Sequence, residues 1–122
     1  MPKPDILVAE DDEVLLSLYD KKFSLNGFSL RKAKDGQEVI RMINEKTPDL
    51  LILDLRMPKV DGLQVLREFP KKSRTYPIIV LTNFHDELCK DDALQLGADQ
   101  YHVKKDMNMK TLIETVKTSL KM

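Results

Sequence analysis

Cysteine occurs once in the 122 residues, at Cys89, so no disulfide closes within the chain and packing must hold the fold. That usage fits a reducing compartment, and the localisation expected is cytoplasmic. Glycine occurs four times, each at a break: Gly27 after Asn26, Gly36 after Asp35, Gly62 after Asp61, and Gly97. No Gly-rich or Ser/Thr-rich loop follows the first apolar run, which argues against a flavin phosphate site. No apolar tract is long enough for a membrane span. The start, Met1-Pro2-Lys3-Pro4-Asp5, lacks the apolar core of a signal segment. Neither charge is in excess: 20 Lys and Arg stand against 20 Asp and Glu. Nothing in that balance favours nucleic acid or an anionic membrane surface.

What is present is one alternating pattern across residues 1–122, long enough for a single domain with its own core. Short apolar runs at 6–9, 50–53 and 78–81 read as strands, and the four aliphatic residues Leu50-Leu51-Ile52-Leu53 suit a strand buried on both faces. The segment 28–33 is less apolar and reads as an edge strand, and 98–103 as a fifth strand. Amphipathic segments fall between them. Residues 13–26 form a predicted helix with Leu15, Leu18, Tyr19 and Leu25 inward; 37–46 use Val39, Ile40 and Ile43; 62–69 use Leu63, Leu66 and Phe69. A more polar helix is expected over 86–96, and a last one over about 108–121 carries Met109, Leu112, Ile113, Val116 and Leu120. Five such βα units imply a parallel sheet with helices on both faces.

In that arrangement every strand's carboxyl end lies on one edge, where open α/β sheets bind ligands. Glu10-Asp11-Asp12, Asp54, Thr82-Asn83 and Lys104-Lys105 meet there. Crowded carboxylates repel unless a cation sits among them, and an all-oxygen set suits Mg²⁺, which binds one or two carboxylates plus a phosphate oxygen. A threonine and a lysine opposite would hold the remaining oxygens of a phosphoryl group. The chemistry inferred is phosphoryl transfer onto a carboxylate. Taken singly, each residue has a plainer reading. Asp12 reads as a helix cap, Lys105 as a solvated charge, His85 and His102 as surface residues, and Cys89 as inert.

Val8-Ala9-Glu10-Asp11-Asp12, Leu53-Asp54-Leu55-Arg56-Met57-Pro58-Lys59-Val60-Asp61-Gly62, Val80-Leu81-Thr82 and Gly97-Ala98-Asp99-Gln100-Tyr101-His102-Val103-Lys104 together resemble the receiver domain of bacterial two-component response regulators. The resemblance covers nearly the whole chain. It implies a flavodoxin-like (βα)5 three-layer sandwich, strand order 2-1-3-4-5. It implies that Asp54 accepts a phosphoryl group from a sensor histidine kinase or a histidine phosphotransfer protein. Asp11 and Asp54 would bind Mg²⁺ (or Mn²⁺) directly, Glu10 through a water, with the Arg56 backbone carbonyl completing the set. Thr82 would hydrogen-bond the phosphoryl group and Lys104 would pair with it. Tyr101 would turn inward with Thr82 as a switch. The surface of the fourth helix, fifth strand and fifth helix would then be read by a downstream protein or a fused output domain, and a phosphorylation-linked dimer is compatible with this. With no output domain in the chain, no direct nucleic acid or membrane binding is expected. The protein reads as a signalling domain rather than an enzyme, at most catalysing its own phosphorylation and dephosphorylation.

Three positions depart from the pattern and are expected to tune it. Lys105 stands where a proline preceded by a cis peptide is common, and a cis bond there would cost about 3–4 kcal/mol, so the peptide is expected either trans with a rearranged loop or cis and strained. The segment 105–108 also reads as one residue longer than usual, with Asp106 or Asn108 as cap. Asn83 replaces a small residue. Arg56 and Phe84 are expected to stack and screen attacking water. Two rival readings remain. A docking pseudo-receiver without phosphorylation is disfavoured by the full acidic set. A haloacid-dehalogenase-type phosphatase would need a second carboxylate where Asp54-Leu55-Arg56 has arginine.

Overall fold

A computed structural model describes residues 2–83 and 87–122, Glu87 and Leu88 by their backbone alone. Its elements run β1 (Asp5–Ala9), α1 (Glu13–Leu25), β2 (Ser29–Ala33), α2 (Gly36–Glu45), β3 (Leu50–Leu53), α3 (Gly62–Glu68), β4 (Ile78–Thr82), α4 (Glu87–Gln95), β5 (Gln100–Val103) and α5 (Met109–Ser119). Single 3-10 turns at Lys71–Ser73 and Lys104–Asp106 complete the order. The strands form one parallel sheet in the order β2-β1-β3-β4-β5, so the flavodoxin-like three-layer arrangement expected from the sequence is present.

Strand alternation divides the core in two. Leu7, Ala9, Leu51, Leu53, Ile78 and Val80 face the side covered by α2, α3 and α4, where Val39, Ile43, Val65, Leu66 and Ala93 meet them. Ile6, Val8, Leu50, Ile52, Ile79 and Leu81 face α1 and α5, against Leu16, Tyr19, Phe23, Leu112, Ile113 and Val116. β1, β3 and β4 are buried at every position, as their unbroken apolar runs require.

Several details differ from expectation. The buried stripe of α1 is Leu16, Tyr19 and Phe23, while Leu18 and Leu25 are exposed. The cause is aromatic: Phe23 stands edge-on to both Tyr19 and Phe28, with ring centres 6.4 and 5.5 Å apart. On α3 the fully buried residues are Val65 and Leu66 with Gly62, and Leu63 and Phe69 are only partly covered. β5 begins at Gln100 rather than Ala98, and every residue of this edge strand is half-buried. There is no cis peptide among the described residues. Lys104-Lys105 is therefore trans, and the 3-10 turn Lys104–Asp106 takes up the longer connection, leaving Asn108 to cap α5 by accepting from the Thr111 N–H at 2.8 Å.

Candidate functional site

The register sets the site. Ala9 pairs with Leu53, and Thr82 with Val103, so Glu10, Asp54 and Lys104, each the next residue of its chain, emerge together at the carboxyl edge. The Asp54 N–H donates to the Ala9 carbonyl at 3.1 Å, and the Glu10 N–H to the Ala33 carbonyl at 2.9 Å. The backbones of both acids are thus tied to neighbouring strands before their side chains act.

Glu10 and Asp54 are buried at 2% and 5% exposure, while Asp11 is open to solvent. One ammonium serves both buried acids: Lys104 Nζ donates to Asp54 Oδ2 at 2.9 Å and to Glu10 Oε1. The other oxygens meet backbone. Asp54 Oδ1 accepts from the Arg56 N–H at 3.1 Å, and Glu10 Oε2 from the Asp12 N–H at 3.1 Å. Asp12 in turn caps α1, its Oδ1 accepting from Val14 and Leu15, which is the role read for it.

Charge does not balance. Among the described residues, three carboxylates share one ammonium, which leaves a surplus of two negative charges in the cluster. Burial pushes the Glu10 carboxyl above its ordinary value, the Asp54 charge adds to the push, and the Lys104 and Asp12 hydrogen bonds offset only part of it. Burial works against the Lys104 charge too, but its bonds to Glu10 and Asp54 outweigh that and raise its pKa. The two directions agree, because one cation shared by two buried acids is itself well held while Glu10, the more buried of the two, is under-compensated. The excess reaches α1, where the Tyr19 hydroxyl is raised first by burial and then by Glu10, Asp54 and Asp12.

Carboxylate oxygens of Glu10, Asp11 and Asp54 lie within 4.8 Å of one another. Two oxygens each about 2.0–2.1 Å from one Mg²⁺ stand at most about 4.2 Å apart, so the carboxylates need to draw together by only about 0.6 Å to share such an ion. The donor set is all oxygen, and its surplus charge is that of a divalent cation, so the residues fit such an ion. A cleft of about 550 Å³ opens beside Asp11, between Arg56, Met57 and Pro58 of the loop, Leu63 of α3 and Cys89 of α4.

The remaining predicted residues are distributed around this centre. Thr82 is fully buried at the end of β4. Val80 pairs with Tyr101 and Thr82 with Val103, so Thr82 and Tyr101 share the α4 side of the sheet. Tyr101 is half-buried there against the core. Asn83, Arg56 and Lys105 are exposed. Phe84, expected against Arg56, lies outside the described residues, as does His85. His102 is half-buried rather than superficial: its Nε2 is 2.8 Å from Gln100 Oε1, and burial, then the Lys90 charge, lower its pKa. Cys89 is half-buried at the cleft wall. One contributor was read only as a turn residue. A Cβ on Gly62 would lie 2.7 Å from Leu55 Cα and 2.8 Å from the Asp54 carbonyl oxygen, so the loop after Asp54 closes only over glycine.

A family model described as the response regulator receiver domain matches residues 6–117. The chain is 34% identical over 99 residues to the alkaline phosphatase synthesis transcriptional regulatory protein PhoP of Bacillus subtilis, covering 81% of this chain and 41% of that protein. It is 38% identical over 104 residues to the probable transcriptional regulator ycf27 of Porphyridium aerugineum, covering 85% and 43%. It thus spans about two fifths of the length of these curated relatives. Among solved structures it resembles the receiver domain of the Francisella response regulator 1452, with TM-score 0.89, 31% identity and 98% of each chain covered. The CheY-like receiver domain protein of Methanospirillum hungatei JF-1 shares the fold at TM-score 0.91 and 24% identity, over 98% of this chain and 94% of that one.

Proposed function

The chain belongs to the response regulator receiver family, a family of two-component signalling domains, and on that premise we propose that it is a phosphorylation switch with Asp54 as its acceptor. The observation that carries this is the convergence of Glu10, Asp11 and Asp54 around Lys104 at the carboxyl edge of the sheet. An Asp54 oxygen attacks the phosphorus of a phosphohistidine on a sensor kinase or a phosphotransfer protein. The new O–P bond forms as the donor N–P bond breaks, and the electron pair stays on the histidine nitrogen, which takes up a proton.

Glu10, Asp11, Asp54 and the Arg56 carbonyl would hold Mg²⁺, with Mn²⁺ able to substitute. The bound ion neutralises charge on the phosphoryl oxygens. Lys104, already placed on Asp54, pairs with a second phosphoryl oxygen, and the Thr82 hydroxyl donates to a third. Thr82 and Tyr101 share one side of the sheet, so a shift of Thr82 passes to Tyr101 and to the α4–β5–α5 surface, where a downstream protein or a covalently attached output domain reads it. Val14 and Leu18 are exposed on α1, which begins two residues after Asp11, and offer apolar contact to the incoming donor. No helix among the described residues is long and apolar enough to cross a membrane, and we place the protein in the cytoplasm, where such kinases present their phosphohistidine.

Incubation with acetyl phosphate or phosphoramidate tests the reading. Wild-type protein takes up label when Mg²⁺ is present, and the Asp54→Asn variant takes up none. Labelling that survives Asp54→Asn contradicts it.

A further inference from the structure

The loop that carries Asp54 into α3 is pressed from outside by the start of α2. Gly36, the first residue of α2, is buried, and a Cβ there would lie 1.8 Å from the Val60 carbonyl oxygen and 2.6 Å from its carbonyl carbon. This is backbone against backbone, so no rotamer change makes room. The neighbouring Lys59 holds φ at 68°, a conformation L-residues rarely adopt. Its ammonium lies 3.5 Å from Asp35 Oδ2. Asp35 is anchored in turn as the cap of α2, its Oδ1 accepting from the Glu38 N–H at 2.9 Å, while Glu38 Oε1 accepts from the Lys34 N–H at 2.7 Å. At its neck the same loop is closed by the Gly62 N–H donating to the Leu55 carbonyl at 3.0 Å. Residues 55–62 are therefore pinched at the neck and held at the tip by an element that contributes nothing to the carboxylate cluster.

We propose that Asp35, Gly36, Lys59 and Val60 form a positioning strap through which the start of α2 fixes the Asp54–Gly62 loop and so sets the divalent-cation affinity of the site. This rests on Glu10, Asp11 and Asp54 being the cation site. The four residues are positioning residues. None is a ligand, and their effect passes through the backbone that joins Val60 to the Arg56 carbonyl.

The strap makes a prediction that through-space electrostatics contradicts. Lys59 is a cation near an anionic site, so removing its charge alone would tighten Mg²⁺ binding; removing the Asp35 charge alone would weaken it. A strap loses its hold either way, and both changes weaken binding. The experiment is a calorimetric Mg²⁺ titration of the unphosphorylated full chain, with far-UV circular dichroism as a fold control. Lys59→Met and Asp35→Ser, which keeps a capping hydroxyl, each raise the Mg²⁺ Kd about two- to fivefold, as expected for loss of one exposed ion pair. Gly36→Ala raises it about tenfold or more, in the range for lost support of metal ligands. Unchanged or tighter binding by Lys59→Met overturns the proposal, and that variant decides the matter even where Gly36→Ala fails to fold. A wild-type chain that binds no Mg²⁺ overturns the reading of the site itself, and the strap with it.

Discussion

Replacing Lys104 by methionine leaves two buried carboxylates without their shared counter-charge. Among the described residues, the Glu10 and Asp54 side chains keep one backbone N–H each, from Asp12 and Arg56, and the surplus of the cluster grows by one negative charge. Removing one partner of a buried pair costs about 3–5 kcal/mol. The Lys104 side chain retains 15% exposure and Asp11 opens to solvent, so about 2–3 kcal/mol is expected for Lys104→Met at pH 7 without divalent cation. The pH dependence has a definite sign. The raised Lys104 pKa means its contribution is complete below the ordinary lysine value of 10.5 and is lost only as pH rises through the folded value. Wild-type protein therefore keeps it in full between pH 5 and 7. Glu10, already raised, moves further up in the variant, so protonation relieves the variant as pH falls and the deficit shrinks toward pH 5. Mg²⁺ also narrows the gap, since a ligand at 100 times its Kd adds about 2.7 kcal/mol to the state that binds it, and the variant, freed of the competing ammonium, binds it more tightly. Urea unfolding at pH 5 and 7, with and without Mg²⁺, measures all of this. A loss under about 1 kcal/mol, or one equal at both pH values, refutes the reasoning.

Arg56, exposed at the cleft mouth, is expected to shield the phosphorylated acceptor. Arg56→Ala should speed autodephosphorylation about two- to fivefold, an effect of under 1 kcal/mol on the barrier, and an equal or faster rate in the parent sinks the idea. Arg74, whose side chain is 3% exposed, donates to the Phe69 and Tyr76 carbonyls at 2.8 and 3.0 Å, to the Gly97 carbonyl, and to Asp99 Oδ2 at 2.8 Å. Arg74→Met should cost about 3–4 kcal/mol and more than about 10 °C in Tm, and a drop of only a few degrees would show the network to be ornamental. Burial pushes the Asp99 carboxyl up, yet the Ile78 N–H, Arg74 and Lys71 bring it below its ordinary value. Its contribution is thus present above that value and lost as pH falls through the folded one, so Arg74→Met should flatten the acid limb of the stability curve. The buried Tyr76 hydroxyl, pushed up to about 12 by burial, has no hydrogen-bond partner among the described residues. Tyr76→Phe should be neutral or stabilise by about 0.5–1 kcal/mol in denaturant titration, and a loss above 1 kcal/mol would contradict that.

The strands, and the edge on which Glu10, Asp11, Asp54 and Lys104 converge, are readable because short-range signals mark them. The unbroken runs at 6–9, 50–53 and 78–81 admit burial on both faces, and the polar residues that end them land on one edge once the sheet is parallel. In α1 two stripes have helical spacing. The expected Leu15-Leu18-Tyr19-Leu25 shares only Tyr19 with the buried Leu16-Tyr19-Phe23, and the choice falls to Phe28, five residues past Phe23, whose ring meets Phe23 alone. The Arg74–Asp99 clasp and the Gly36–Val60 contact join residues more than twenty positions apart, and no local pattern marks either. At Lys104-Lys105 the sequence left two backbones open, and the trans 3-10 turn is the one adopted.

In the proposed switch the phosphoryl group goes to Asp54 and needs a divalent cation. Borohydride reduces an acyl phosphate to an alcohol, so treating acetyl phosphate-labelled protein and sequencing its peptides by tandem mass spectrometry locates the modification. Homoserine is expected at position 54 in the Mg²⁺ sample, and intact aspartate there when EDTA replaces Mg²⁺. Reduction at Asp11 or Glu10 instead, or the same yield at position 54 with EDTA, would contradict it.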